Sequence, residues 1–380
     1  MIKKQLKVAK HTEKRRNWSP KFLGLTLLAL TVTLLVASLL VNYLFYFAKA
    51  NNGQHFSFKD PNHLTAFIFM ILGLILILGF LSFIVLKISK KIVEEPEEDL
   101  FKIGSVGFVS TFVDTVGIGS FAVSMTGLNA IKSAQDVKKL PGTLNLGLTI
   151  PNLFTAILFV SVIQVELATL ISLVVVATAG AFASSYLIGK VNKKFVALFV
   201  AICLTIAGIS MILSQVGIFA PSDIKGLHGW KLGVGIFAFF IIGGLQSFGI
   251  GLYAPALAVI SLLGMETIIA FPIMTCTSGF SMPATAWSFY KNKNYQPKVV
   301  CGLLLGGILG TASAFFIIFV GIQGGFGIQM NVFTYYLKWL AIAVMFYTSV
   351  MLLRKYLLMK KEEQPLATVP IGGIKKKSLE

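Results

Sequence analysis

The sequence predicts an all-α integral membrane protein with two inverted repeats, each built from a glycine-broken re-entrant or discontinuous helix plus three transmembrane helices. Three observations support this fold class. The chain is 56% hydrophobic and only 13% charged, whereas soluble domains are about half apolar and about a quarter charged. Apolar runs able to cross about 30 Å of hydrocarbon recur along it. Two glycine-rich segments, Ile103–Leu128 and Leu232–Gly264, resemble each other.

Two apolar helices at the start of the chain lie outside the repeats. They are predicted at Phe22–Phe47 and Leu64–Leu86, within the region 22–93. The first run is far longer than the roughly 7–15 residues of a signal-peptide core, so we expect it to be retained as a helix. A basic stretch at 1–21 precedes these helices, and an acidic linker at 94–102 follows them.

Two repeats fill most of the remaining sequence. Repeat 1 covers residues 103–213 and repeat 2 covers residues 232–355, with an extracytoplasmic connection at 214–231. The tail at 356–380 is expected to be cytoplasmic and disordered. Each repeat opens with its glycine-rich segment, and three predicted spans follow: Thr143–Ile163, Ala168–Ile188 and Phe195–Leu213 in the first, and Thr267–Phe289, Val299–Val320 and Phe333–Leu353 in the second.

The relation between the repeats rests on an ordered series of matches. GIGSFA at Gly117–Ala122 aligns with GIGLYA at Gly249–Ala254, 132 positions later. The same offset pairs Gly147 with Gly279 and Pro151 with Pro283. A repeat of about 110–125 residues is typical of secondary transporters, whose halves meet at the binding site.

The distribution of lysines indicates how the glycine-rich segments cross the membrane. The loops Asn129–Gly142 and Gly189–Lys194 carry three lysines each. Both loops become cytoplasmic if each glycine-rich segment enters the membrane and returns to the same side, as the positive-inside rule favours. Each half then has an odd number of crossings, so the second half is inverted. The expected location is the plasma or inner membrane, with multiple passes and both termini cytoplasmic.

Four glycines are the first candidates for a binding site: Gly117, Gly119, Gly249 and Gly251. A helix broken there turns free backbone N–H groups and the positive end of a helix dipole toward an anion. The alternative is that these glycines only let helices pack closely, which is common in membranes. Because the pair repeats at matched positions, the sequence favours a binding role.

Asp114 lies three residues before Gly117, inside the first glycine-rich segment. An acid within the membrane is costly and marks a functional site by default. It is predicted either to carry a coupling proton or to cap a half-helix, and a purely structural hydrogen bond stays open. Its counterpart, Gln246, keeps the polarity and drops the charge.

The second helix of each repeat is polar in its middle. Its small hydroxyls and amides are predicted to line a polar path, although interhelical hydrogen bonding is an open alternative. The lining residues proposed are Asn145, Thr275, Thr277, Ser278 and Ser281, with Thr149 and Asn152 nearby. Small residues at every fourth position, from Gly302 to Ala314 and from Ala177 to Gly189, are predicted to pack helices closely.

Other classes of function fit the sequence poorly. The net charge of +18 comes from lysines and arginines in the tails and short loops, a pattern set by membrane orientation, so no nucleic-acid partner is expected. No nucleotide-binding loop and no H-E-x-x-H zinc motif is present. The three cysteines have no metal-ligand spacing. We therefore expect no enzyme activity, no metal and no cofactor.

The glycine-rich segments resemble those of the sulfite exporter TauE/SafE permeases. GGLQSFGIGLYAPALAVISLLG, from Gly243 to Gly264, is close to the family's glycine-rich segment followed by a proline-containing apolar run. VGFVSTFVDTVGIGSFAVSMTGL, from Val106 to Leu128, is similar but lacks the proline equivalent to Pro255. GAFASSYLIGKVNKKF, at Gly180–Phe195, also resembles the family. The resemblance implies export of small sulfur-containing anions such as sulfite or organosulfonates.

The expected function is a secondary permease for a small anion, with sulfite or an organosulfur anion as the first candidate and export as the expected direction. The expected partners are that anion and the lipid bilayer, and the oligomeric state, including a homo-oligomer, is left open. A non-transporting membrane scaffold and an anion channel are the alternatives. The matched pair of helix breaks favours the transporter, because a scaffold needs no two breaks at equivalent depth.

Overall fold

Long apolar helices dominate the computed structural model, as the composition requires. The described residues are about 89% helical and include no strand. Among them, four helices are long and apolar enough to cross a membrane: His63–Ile92, Leu140–Val160, Leu167–Ser185 and Pro297–Ile317. The prediction of an all-α membrane protein is confirmed at this level. The structure describes residues 20–42, 61–94, 98–115, 117, 119–133, 136, 139–162, 165–187, 193–216, 224–248, 251–266, 269–317 and 330–362.

Twelve α-helices lie in these described segments. The bounds, in chain order, are α1 Pro20–Asn42, α2 Pro61–Phe83, α3 Leu100–Thr115, α4 Ser120–Ala130, α5 Leu140–Val162, α6 Leu167–Leu187, α7 Lys193–Gln215, α8 Gly229–Leu245, α9 Tyr253–Leu262, α10 Ala270–Lys291, α11 Pro297–Ala314 and α12 Met330–Glu362. Helix α12 thus continues beyond residue 355. The basic stretch before residue 20, the loop residues 188–192 and the tail after residue 362 lie outside the described residues.

Both glycine-rich segments form hairpins of two helices. In the first, α4 folds back along α3, so that a Cβ at Gly127 would lie 2.7 Å from Val106. The ends of this hairpin meet where the Ser133 hydroxyl donates to the Glu98 carboxylate. In the second, α9 returns along α8, and the Glu266 N–H donates to the Ile224 carbonyl at 3.1 Å. Each glycine-rich segment therefore begins and ends at the same end of the protein.

Helices α5 and α10 form the centre of the protein and run antiparallel. Gly142, near the start of α5, lies against Phe289 at the end of α10, and Gly279 lies against Leu153. At the other end, the rings of Phe159 and Phe271 stack with centroids 5.8 Å apart. Every residue from Gly142 to Val160 is buried inside the protein, as expected for a helix surrounded by other helices.

Helices α7 and α12 form a second antiparallel pair. The Thr205 and Ser349 hydroxyls share a hydrogen bond of 2.8 Å. A Cβ at Gly208 would lie 3.0 Å from the Phe346 ring. The Gln215 amide donates to the Tyr335 carbonyl at 3.3 Å, so the end of α7 meets the start of α12.

Two further pairs of helices run parallel, and each pair combines one helix from the first half of the chain with one from the second half. Helix α3 packs against α11, and α8 packs against α6. A Cβ at Gly306 would lie 1.8 Å from the Gly104 carbonyl oxygen, and a Cβ at Gly180 would lie 1.9 Å from the Phe240 carbonyl oxygen. Such backbone contact is possible only without a side chain. The predicted close packing of the small residues is confirmed for Gly306 and for Ala177, whose backbone lies against Gly243.

The N-terminal helices α1 and α2 pack against the outside of this core. A Cβ at Gly73 on α2 would lie 2.8 Å from Ile157 on α5, and the ring of Phe69 meets that of Phe280 edge-on at 5.3 Å. A 3₁₀ turn at Ser89–Glu94 follows α2, and Lys91 there donates to the Tyr295 hydroxyl at 3.3 Å. These contacts attach the extra helices to α5 and to the loop after α10.

We expect Gly306→Ala to destabilise the protein by about 1–3 kcal/mol, because the added methyl group forces α3 and α11 apart. Thermal unfolding in detergent micelles measures the change. Gly233→Ala is the matched control, since a Cβ there meets nothing within 4 Å, and it should be neutral or slightly stabilising. Equal stability of the two variants would contradict the close α3–α11 contact.

Candidate functional site

The first helix break depends on two glycines with left-handed backbone. Gly117 has φ +96° and Gly119 has φ +85°, a region that side chains other than glycine rarely adopt. The Gly117 N–H donates to the Asp114 carbonyl at 2.8 Å, which closes the turn after α3. A Cβ at Gly117 would also lie 2.7 Å from the Phe271 ring of α10. The chain therefore turns sharply between α3 and α4, deep against α10.

The tips of the two hairpins touch each other. A Cβ at Gly119 would lie 3.7 Å from the Cβ of Tyr253, and a Cβ at Gly251 would lie 3.5 Å from the Cβ of Phe121. Phe121 and Tyr253 hold equivalent places in GIGSFA and GIGLYA, so the two contacts correspond to each other. Gly249 lies outside the described residues.

Asp114, the last acid before the break, binds both hairpins. Its side chain is 2% exposed. One carboxylate oxygen accepts the Ser120 backbone N–H at 2.5 Å, and the other lies 3.1 Å from the Tyr253 hydroxyl. Ser120 begins α4, so the chain's own carboxylate already occupies the positive end of that half-helix. No lysine, arginine or histidine in the described segments pairs with Asp114.

Asn152 on α5 continues the chain of hydrogen bonds from Tyr253. Its amide nitrogen donates to the Leu148 carbonyl at 3.0 Å, which fixes the orientation of the amide. The amide oxygen therefore faces the Tyr253 hydroxyl at 3.2 Å and the Ser278 hydroxyl at 3.1 Å. Asn152 thus connects the hairpin tips to α10.

Gln246, the counterpart of Asp114, lies at the other end of this chain. Its amide nitrogen donates to the Ser278 hydroxyl at 3.2 Å, and its amide oxygen accepts from the Ser281 hydroxyl at 2.6 Å. The side chain is fully buried. Asp114 and Gln246 are therefore joined through Tyr253, Asn152 and Ser278.

Asn145 enters the same network from the start of α5. Its amide nitrogen lies 3.3 Å from the Gln246 carbonyl oxygen, and its amide oxygen accepts from the Thr285 hydroxyl at 2.7 Å. We call the connected set the central network; its members are Asp114, Ser120, Asn145, Asn152, Gln246, Tyr253, Ser278, Ser281 and Thr285. Every member is buried, with at most 4% of its surface exposed.

Two predicted lining residues do not join the central network by a hydrogen bond. The Thr275 hydroxyl donates to the Phe271 carbonyl at 2.8 Å, and the Thr277 hydroxyl donates to the Ile273 carbonyl at 2.5 Å. Both bonds stay within α10, which is the ordinary way a helix satisfies a buried hydroxyl.

Four members of the network were not among the predicted site residues: Ser120, Asn152, Tyr253 and Thr285. Tyr253 carried a usable signal, because it stands in GIGLYA where GIGSFA has Phe121. A hydroxyl present in one copy and absent from the other indicates a difference in role. Thr285 carried no such signal, since its part depends on the antiparallel register of α5 and α10.

Comparison with family models, curated proteins and solved structures found no match to this chain. Within the described segments, no group of three or more His, Cys, Asp or Glu side chains could hold a metal ion. The network offers hydroxyls, amides, one carboxylate and two helix breaks, which suit hydrogen bonding to a small polar solute.

We expect Tyr253→Phe to destabilise the protein by about 1–3 kcal/mol, because Asp114 and Asn152 each lose a buried partner. Chemical or thermal unfolding in micelles measures the change. Tyr347→Phe is the control, since Tyr347 is 50% exposed, and it should have little effect. If Tyr253→Phe were as stable as the unaltered protein, the hydroxyl would not connect the hairpins.

Proposed function

We propose that the protein is a secondary permease for a small anion, most simply sulfite or an organosulfur anion. The observation that carries this proposal is the meeting of two broken-helix hairpins at a buried polar network. Non-helical backbone at membrane depth is tolerated where protein buries it or where it lines a cavity. Discontinuous helices that meet between two halves of a chain form the substrate site in many secondary transporters.

An inverted repeat is supported by the directions of matching helices. If α3–α7 and α8–α12 are equivalent, α5 corresponds to α10 and α7 to α12, and each of these pairs runs antiparallel. A two-fold axis in the membrane plane produces this reversal. The same axis relates the α3–α11 contact to the α8–α6 contact. The two sequence halves are then one structural unit used twice.

The proposed orientation follows from charge at the two ends of the protein. Residues 91–94, 98–100, 131–133, 139–140 and 291–297 lie at one end, as the bond from the Gln296 N–H to Thr143 and the contact of Lys91 with Tyr295 indicate. Lysines cluster here, including Lys132, Lys139 and Lys293. We assign this end to the cytoplasm by the positive-inside rule. The two hairpins then enter the membrane from opposite sides.

The class of substrate is inferred from the resemblance to the TauE/SafE permeases and from the effect of the membrane potential on anions. An inside-negative potential drives anions outward by about 2.3 kcal/mol per net charge that crosses, per 100 mV, which favours export. The buried contact between the hairpin tips supports a carrier with alternating access, since a fixed pore would keep its polar lining open to water. The extra helices α1 and α2 pack against the core. In a scaffold, we would expect such helices to leave a surface free for docking a partner.

Proteoliposomes loaded with labelled sulfite, sulfate or a taurine-like sulfonate should release at least one of these anions when an inside-negative potential is imposed. Gly251→Leu should reduce the rate by tenfold or more, because its side chain would meet Phe121 at the contact of the tips. Gly233→Leu, at an open helix surface, is the control and should transport normally. Absence of flux for all three anions would reject the sulfur-anion proposal.

Cysteine labelling tests the proposed orientation. Lys225 and Lys293 are both exposed, and they lie at opposite ends of the protein. In intact cells, Lys225→Cys should react with a membrane-impermeant maleimide, whereas Lys293→Cys should react only after the cells are opened. The reverse pattern would place the lysine-rich end outside and would contradict the assignment.

A further inference from the structure

If Asp114 is ionised, the hydroxyl hydrogens near Tyr253 are too few to form all the hydrogen bonds that the distances there indicate. Three oxygen–oxygen contacts run in series: Asp114 to Tyr253 at 3.1 Å, Tyr253 to Asn152 at 3.2 Å, and Asn152 to Ser278 at 3.1 Å. Each needs one hydrogen atom. The Tyr253 and Ser278 hydroxyls supply two, and the Asn152 oxygen supplies none, because its amide nitrogen is directed at the Leu148 carbonyl.

A proton on Asp114 supplies the missing hydrogen. Asp114 then donates to the Tyr253 oxygen, Tyr253 donates to the Asn152 oxygen, and Ser278 donates to the same Asn152 oxygen. The Ser120 N–H still donates to the other oxygen of Asp114. Without that proton, either the Asp114–Tyr253 or the Tyr253–Asn152 contact places two acceptors together with no hydrogen between them.

Among the residues that the structure describes, no positive charge lies beside Asp114 to favour the carboxylate. The titratable groups that face this region are Tyr253 on α9 and Cys276 on α10, and neither is a cation. On α3 the neighbouring polar side chains are the Thr111 and Thr115 hydroxyls, which donate to backbone carbonyls at 2.8 Å and 2.9 Å. A buried carboxylate that has hydrogen-bond partners but no described counter-ion is costly in a membrane, so the neutral acid suits this packing.

We propose that Asp114 is a proton-binding site and that one proton accompanies each anion through the protein, so that a monovalent anion crosses without net charge and the membrane potential acts only on the second charge of a divalent anion. This inference rests on the proposed transport function. The protonated acid joins the two hairpins while their tips are in contact. A bound anion would be repelled by an ionised Asp114 beside it, so the form that carries the anion is also the form that carries the proton. On release, the proton leaves the carboxyl oxygen for water on the side to which the hairpins open.

The stoichiometry follows from the second half of the chain. Gln246 holds the matching position, and its amide neither gains nor loses a proton near neutral pH. Asn152 and Gln246 also interrupt the series of hydroxyls, because amide groups do not relay protons as hydroxyls and carboxylates do. The proton therefore stays on Asp114 while the tips are closed, and it crosses only when the hairpins rearrange.

Proton movement with the substrate is the first test. Proteoliposomes containing the purified protein and a trapped pH-sensitive dye are given a gradient of labelled methanesulfonate, because a sulfonate carries no proton near neutral pH whereas sulfite exchanges one with bisulfite. We expect proton movement in the same direction as the sulfonate, at one proton per anion. Sulfonate flux without proton movement overturns this inference and leaves the permease proposal intact, whereas no flux of any tested anion overturns both.

The Asp114→Asn variant removes the proton-binding group while it preserves the hydrogen bonds of residue 114. Asparagine can accept the Ser120 N–H and donate to Tyr253, as the protonated acid does, so the variant should fold and unfold at a similar temperature. Flux that remains should carry no protons and should not vary with pH. Asp136→Asn, at an exposed carboxylate beside Lys139, is the control and should retain both proton movement and pH dependence. Retained proton movement in Asp114→Asn overturns the inference.

Infrared spectroscopy tests the protonation without any transport. A protonated carboxylic acid has a C=O stretch apart from the amide and carboxylate bands. The unaltered protein at neutral pH should show this band, and Asp114→Asn should lose it while Asp136→Asn keeps it. Absence of any band difference between the unaltered protein and Asp114→Asn overturns the assignment of a proton to Asp114.

Discussion

The bond from the Ser120 N–H to the Asp114 carboxyl group is the contact on which the centre of the protein depends. Helix α4 begins inside the protein, where no water is available for its first N–H groups. Asp114 satisfies one of them from the preceding helix, and the glycine turn between the two helices makes this approach possible. The same carboxyl group then needs a partner for its second oxygen, and the second half of the chain provides Tyr253. A local capping contact thereby becomes a contact between the two hairpins.

The two halves solve this problem with different side chains. The position filled by an acid in the first half holds Gln246 in the second, where an amide both donates and accepts and so binds Ser278 and Ser281. Two carboxyl groups at this depth would repel each other once ionised and would need two compensating groups. One acid and one amide preserve the shape of the matched breaks while confining the variable charge to a single residue. The asymmetry is therefore chemical, whereas the proposed inverted repeat relates the helices of the two halves by a two-fold axis.

Much of this architecture could be predicted from the sequence, because the membrane imposes simple rules. Apolar runs predicted most of the helix ends within about five residues, although α12 continues to Glu362, past the predicted end at Leu353, and the glycine pairs located both breaks. Asp114, Gln246, Asn145, Ser278 and Ser281 were correctly expected to be polar residues of interest, and the structure brings them together. What could not be predicted was which side chains bond to which, since Tyr253 with Asp114 and Thr285 with Asn145 depend on register between helices far apart in sequence. Thr275 and Thr277 differ from their neighbours only in the direction that their hydroxyls face.

The exchange of helices between the halves has a consequence for biosynthesis. Gly104 and its helix leave the ribosome about two hundred residues before Gly306, against which they finally pack. At about 5–20 residues per second, translation of that interval takes roughly 10–40 s. During all of this time the first hairpin lacks its parallel neighbour, and for most of it the hairpin also lacks Tyr253, which binds its acid. The first half therefore cannot reach its final packing when it is inserted, and its hairpin takes its final position only after the second half has been inserted. Truncated chains released during synthesis would expose an incompletely bonded hairpin to membrane quality control.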